Sequence, residues 1–88
     1  MDKIWSDKAW DDYLDWQKKD KKTFEKINKL IKDIDRNGES EGIGKPEPLK
    51  GGLSGFWSRR INEKDRLVYR IEDGRLEIAL CLTHYDDH

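Results

Sequence analysis

The apolar period of this chain changes once, near residue 38, and that change limits the fold more than any other feature. Before it, apolar residues recur at helical spacing; beyond Gly55 they alternate. Trp10, Tyr13, Leu14 and Gln17 fall at i, i+3, i+4 and i+7, which predicts a first helix with a mostly apolar inward stripe, ending near Lys18. Ser6 is placed to cap its start, after a short opening strand at Lys3-Ile4-Trp5. Asp20 can cap a second helix. Phe24, Ile27, Leu30, Ile31 and Ile34 form its buried face, with Lys26, Lys29 and Lys32 towards water. Asn37-Gly38 stops it, since glycine accepts the left-handed conformation that ends a helix.

The second half reads as strands. FWSRRIN (56–62), RLVYRIE (66–72) and RLEIALCLT (75–83) are rich in β-branched and aromatic residues, joined by turns at Asn62-Glu63-Lys64-Asp65 and Asp73-Gly74. Helices grouped before strands imply a single α+β domain over 1–88. Its order is β-α-α-β-β-β, with the helical hairpin packed on one face of an antiparallel sheet. Alternation sends Leu67, Tyr69, Ile71, Leu76, Ile78, Leu80 and Leu82 to the core, and Arg66, Val68, Arg70 and Cys81 to the other face. Arg60 shares the Arg66 face only if the 62–65 turn has an odd register. His84 would follow Leu82 into the core unless the strand ends or bulges near Thr83.

Composition narrows the class. Hydrophobic residues make up 34% of the 88 and charged residues 42%, so one small core is expected, with four Trp and two Phe supplying much of it. No apolar run approaches the roughly 18 residues that span a bilayer, and MDKIWSDKAWDDY lacks the apolar stretch of a signal peptide; a cytoplasmic protein is expected. One cysteine, Cys81, allows no internal disulfide and no cysteine-rich zinc site. The net charge of −1 conceals a basic middle. Residues 44–70 hold seven basic side chains against three acidic, while 71–88 hold one against five. A polyanion site and plain solvation of strand edges are both compatible with that middle.

Residues 38–55, GESEGIGKPEPLKGGLSG, contain six of the seven glycines and both prolines. Connections this long are usually functional or disordered. Pro46 and Pro48 stiffen the backbone on either side of Glu47, with Lys50 three residues on, which argues against disorder. A solvent-facing Glu47 with no role remains the simpler alternative. Of two histidines, His88 is the last residue, and His84 follows the final strand beside Tyr85. No metal-ligand spacing, cofactor motif, GxSxG or phosphate-cradling loop is present. One stiffened carboxylate, one imidazole and several arginines would suit acid–base chemistry on a phosphodiester.

Ile4-Trp5-Ser6, Trp10-Asp11-Asp12-Tyr13-Leu14, Trp16-Gln17, Ile27-Asn28 and Leu30-Ile31-Lys32-Asp33 resemble the helical half of YoeB/Txe-type toxins of the RelE superfamily. GKPEPLK (44–50), LSGFWSRRI (53–61), RLVYR (66–70) and His84-Tyr85 resemble their active-site half. The resemblance implies the toxin of a bacterial toxin–antitoxin pair that cuts messenger RNA on the ribosome without a metal or cofactor. Glu47 would be general base, His84 general acid, and Arg66 the stabiliser of the transition state; Lys50, Arg60 and Tyr85 would hold RNA. A YefM/Axe-like antitoxin is implied as partner, with DNA contacted only through the antitoxin complex, and self-association into a homodimer is left open. Leu82-Thr83 stands before His84 where the family pattern has Arg-Tyr, so any RNA contact through those two side chains is missing. Asp86-Asp87-His88 extends past the usual ending. The rival classes are a non-catalytic nucleic-acid-binding module and a partner-bound regulatory domain, in either of which Glu47 and His84 would be dispensable.

Overall fold

The computed structural model describes residues 1–82; His84, Tyr85 and the residues after them lie outside the described part. The elements are β1 (Asp2–Trp5), α1 (Asp7–Lys19), α2 (Lys21–Asn37), β2 (Glu47–Pro48), a 3-10 turn at Gly51–Leu53, β3 (Trp57–Arg60), β4 (Arg66–Glu72) and β5 (Arg75–Leu82). The sheet order is β1-β5-β4-β3-β2, with both helices on one face.

The caps read from sequence hold. The Ser6 hydroxyl accepts the Ala9 N–H at 2.9 Å and donates to the Ala79 carbonyl at 2.8 Å, so one side chain starts α1 and ties it to β5. Asp20 accepts from Thr23 N at 3.2 Å and from the Thr23 hydroxyl at 2.8 Å. Gly38 closes α2 at φ 87°, donating to the Ile34 carbonyl at 2.8 Å. Along α2, Ile27, Leu30, Ile31 and Ile34 are buried and Phe24 packs against them half-buried. Each such aliphatic side chain stabilises the fold by about 1.5–3 kcal/mol relative to leaving it in water.

The buried side of α1 differs from the predicted stripe. Ala9, Asp12 and Trp16 face inward, while Trp10 is 45% exposed and Gln17 is exposed. Two contacts turn the helix this way. The Trp16 indole donates to the Cys81 carbonyl at 2.7 Å in the interior. Trp10 instead joins a partly exposed aromatic row with Trp5 and Tyr13, ring centroids 5.6 and 5.8 Å away, and Tyr13 continues the row to Phe24 at 4.7 Å. The core is therefore mainly aliphatic, with Trp16 the one buried tryptophan and Trp5, Phe24 and Trp57 packed at its margin.

The sheet is mixed rather than wholly antiparallel. β3, β4 and β5 form the expected antiparallel meander, but β1 pairs parallel to β5, Asp2 with Arg75 through Trp5 with Ile78. The chain between β1 and β5 runs through both helices and the other strands, a connection long enough for a parallel pairing that a short turn cannot make. The two-residue β2 adds a fifth strand, Glu47 with Ser58 and Pro48 with Trp57.

A bulge corrects the predicted faces of β5. Val68 pairs with Leu80 but Tyr69 with Ile78, leaving Ala79 unpaired as the extra residue. Beyond it the parity is exchanged: Cys81, predicted outward, is fully buried opposite Leu67, and Leu80, predicted inward, shares the outer face with Val68. Burial pushes the Cys81 thiol up to about 12.

Candidate active site

The segment that carries Glu47 is organised from the interior. Arg59 on β3 is 0% exposed and aims at the helix side of the sheet. Its Nη1 donates to Asp33 Oδ2 at 2.6 Å and the Ile43 carbonyl at 3.1 Å. Its Nη2 donates to the carbonyls of Gly38 at 2.8 Å and Glu41 at 2.6 Å. Its Nε donates to the Tyr69 hydroxyl at 2.9 Å, which in turn donates to the Glu39 carbonyl at 2.7 Å. One guanidinium thus supplies the partners for three loop carbonyls that would otherwise be unsatisfied. The hydrogen bond from Arg59 holds the Asp33 carboxyl below the usual carboxylate range, outweighing the opposing effect of its desolvation.

Two glycines make this approach possible. A Cβ on Gly42, at φ 122°, would collide with the Asp33 carboxylate; one on Gly44, at φ 84°, would lie 2.8 Å from Leu30 Cδ2. Arg60 N donates to the Gly44 carbonyl at 2.7 Å, and Lys45 takes φ 53°. That left-handed conformation costs a non-glycine residue about 1 kcal/mol. The chain then passes through Pro46 to Glu47, whose far side is fixed by Leu49 N donating to the Phe56 carbonyl at 2.9 Å. The 18-residue connection read from sequence is therefore an ordered strap.

Register brings three of the predicted residues to one face. Opposite residues of an antiparallel pair share a face, about 5 Å apart. Glu47 faces Ser58 and Ser58 faces Val68, while Arg60 faces Arg66 directly. Glu47, Ser58, Arg60, Val68 and Arg66 therefore lie on the face away from the helices. Glu47 stands two strands, roughly 10 Å, across the sheet from the β4 residues. The five residues between Arg60 and Arg66 give the odd register that the shared face requires. Lys50 is exposed just beyond β2, at the start of the 3-10 turn, and is not fixed to this row by any strand pairing.

Arg66 is held by its own turn. The Asn62 carboxamide oxygen accepts from the backbone N–H groups of Lys64 at 2.8 Å and Asp65 at 2.7 Å, and its amide donates to Asp65 Oδ2 at 2.9 Å. Arg66 Nη1 donates to the carbonyls of Asn62 at 2.9 Å, Asp65 at 3.1 Å and Glu63 at 3.2 Å. A stiff turn thus holds the Arg66 guanidinium at its own carbonyls, on a residue whose register shares the face of Glu47.

The basic middle is smaller at the surface than its count suggests. Arg59 is internal, and Arg70 pairs with Glu77 at 2.8 Å and Glu72 at 3.1 Å while lying over the Phe56 ring. Among the described residues, no ion pair engages Lys50, Arg60 or Arg66. Sequence reasoning missed Arg59, Asp33 and Tyr69 as organisers of the site and Ser58 as the buried neighbour of Glu47. Gly42 and Gly44 were the available signal, since they mark a close approach of backbone to another group.

The class follows from this architecture together with its matches. A YoeB/ParE toxin from Agrobacterium tumefaciens has the same fold, with a TM-score of 0.92 and 47% identity over 97% of this chain and all of that one. Two solved structures of Staphylococcus aureus YoeB, one a heterotetrameric complex with the antitoxin YefM and one a dimer, match with a TM-score of 0.90 and 52% identity over 97% and 98% of the respective chains. The chain is a toxin of a bacterial type II toxin–antitoxin system. It belongs to the YoeB-like toxin family, which residues 5–85 match. Toxin YoeB of Escherichia coli strain K12 is 60% identical over 85 residues, 97% of this chain and 100% of the relative.

Proposed function

We propose that this toxin is a ribosome-dependent endoribonuclease that cuts messenger RNA in the cytoplasm and so arrests translation. The observation that carries the reading is the placement of Glu47, Arg60 and Arg66 on one face by strand register. The reaction is transesterification within the RNA. Glu47 removes the proton from a ribose 2′-OH, the 2′-oxygen bonds to the adjacent phosphorus, and the bond from phosphorus to the 5′-oxygen breaks. His84 returns a proton to that leaving oxygen, so a 2′,3′-cyclic phosphate and a 5′-hydroxyl are formed.

Arg66 offsets the negative charge that gathers on the phosphoryl oxygens. A well-placed donor of this type is worth roughly 10²–10³ in rate. Lys50, Arg60 and Tyr85 hold the RNA. Protein cations supply the charge stabilisation, so the activity is expected to need no metal of its own. A carboxylate is a modest base for a ribose hydroxyl, and geometry has to carry much of the proton transfer. Alignment of the 2′-OH by the ribosome then supplies what basicity does not.

The matched complexes with YefM support a YefM-like antitoxin as partner, with DNA reached only through that complex, and the matched dimer supports self-association. The test is mapping of RNA ends in a purified translation system. New 5′-hydroxyl ends should appear with ribosomes and wild-type protein, disappear with Glu47→Ala, and persist when chelator is added under conditions that keep ribosomes intact. Intact message in the presence of wild-type protein would refute the reading. Growth arrest unaffected by Glu47→Ala would favour a non-catalytic binding module.

A further inference from the structure

The strap has an anchor inside the protein and a working residue outside it. Arg59 sits on β3 between Ser58, which pairs with Glu47, and Arg60, whose N–H holds Gly44. Its side chain leaves the sheet on the helix side, takes hold of residues 38–43 and fastens them to Asp33 of α2. The same strand thus grips the strap on both faces as it rounds the sheet edge. Lys45 keeps its left-handed φ of 53° two residues before Glu47. Such a conformation persists only where the surroundings over-determine it. Around Lys45 those surroundings are the Gly44–Arg60 bond on one side and the Glu47–Ser58 pairing on the other.

We infer that Arg59, with Asp33 and Tyr69, is a positioning residue for the Glu47 carboxylate, setting the reach of a group it never touches. The inference rests on Glu47 being the base, as proposed above. A buried arginine engaged this way acts on the rate of the chemical step and leaves the affinity for the ribosome alone. A lysine cannot replace it, because a single ammonium cannot span Asp33, the Gly38, Glu41 and Ile43 carbonyls and the Tyr69 hydroxyl from one planar fork. Tyr69→Phe is the mildest probe, since it keeps the ring in the core and deletes only the hydroxyl that links Arg59 to the Glu39 carbonyl.

The experiment combines two measurements on the free and ribosome-bound toxin. In the first, Tyr69→Phe is expected to lower kcat for message cleavage at least fivefold, and Arg59→Lys further, both with KM for programmed ribosomes unchanged. In a Glu47→Gln background, adding Tyr69→Phe should change the residual rate less than twofold, because a positioning group has nothing left to position. In the second, amide hydrogen exchange of Tyr69→Phe should speed up at Ile43 and Leu49 while core amides of β4 keep their wild-type protection. Equal losses from Tyr69→Phe in the wild-type and Glu47→Gln backgrounds, or wild-type exchange at Ile43 and Leu49, would overturn the inference. If wild-type toxin cuts no message, the functional reading fails, and the exchange data alone decide whether Arg59 holds the strap.

Discussion

Arg59 and Arg60 are neighbours on one strand, and they belong to different worlds. Arg59 faces the helices, is fully buried and spends every nitrogen on the strap and its supports; Arg60 faces away from the helices and is exposed. The same division runs through the whole sheet. Its covered face is mostly apolar, Leu67, Tyr69, Leu76, Ile78 and Cys81 against α1 and α2. Its other face, bare of helices, carries Glu47, Arg60 and Arg66 beside the buried Ser58 and Val68. The strands pack with one set of side chains and present the alternate set on the face of Glu47, so substitutions should separate by parity except at Arg59 and Tyr69, which reach from the covered face to the strap.

Glu47→Gln tests the bare face most severely. Cleavage should fall by roughly 10²–10⁴, the usual contribution of a general base, while thermal stability stays within about 0.5 kcal/mol of wild type, as for surface substitutions away from packing. Stopped cleavage assays and thermal denaturation of the same preparation check both halves. Leu76→Ala tests the covered face in reverse. Truncating this fully buried residue should cost about 2–5 kcal/mol in urea unfolding, with little change in rate per folded molecule. A specific loss of rate in Leu76→Ala, beyond the fraction unfolded, would break the division.

Arg66→Lys should retain association with ribosomes and lower the cleavage rate at least tenfold, about 1.4 kcal/mol. A planar guanidinium can give two parallel hydrogen bonds to phosphate and an ammonium cannot. Single-turnover rates beside ribosome co-sedimentation decide it. Asp33 offers a gentler probe of the strap. Its folded carboxyl titrates below the usual range because Arg59 donates to it. Its contribution to stability is therefore complete above the unfolded carboxylate value, about 3.9, and is lost as pH falls through the lowered folded value. Urea unfolding from pH 7 to pH 3 should show wild type converging on Asp33→Asn at the acid end. The smallest effect is expected at Cys81, whose thiol burial pushes up to about 12. A thiol reagent at pH 8 should label it only at the rate of unfolding, followed by mass spectrometry with and without urea.

Local signals carried the parts of this fold that are local. The period of α2 and the caps at Ser6 and Asp20 are written in consecutive residues, and the structure keeps them. The inward side of α1 was legible only in part, since Trp10 and Trp16 offer the same indole and only the fold gives Trp16 a buried carbonyl to bond. The faces of β4 followed from alternation, whereas those of β5 beyond Ile78 did not, because nothing in Ala79-Leu80-Cys81-Leu82 announces an unpaired residue. The site divides the same way. Pro46-Glu47-Pro48 marked a stiffened carboxylate from sequence alone, yet Arg59 read as one more surface cation. Its partners come from α2, the strap and β4, up to 26 residues distant, and only the fold brings them together.

The parallel pairing of β1 with β5 bears on how the molecule comes into being. Asp2–Trp5 is translated about seventy residues before its hydrogen-bonding partner, Arg75–Ile78. α1 and α2 can form and associate in the meantime, since their contacts are near in sequence. β1 cannot pair until β5 has been translated, and the face that carries Glu47, Arg60 and Arg66 has no closed framework before then. A chain built in this order assembles that face only after β5 has been made.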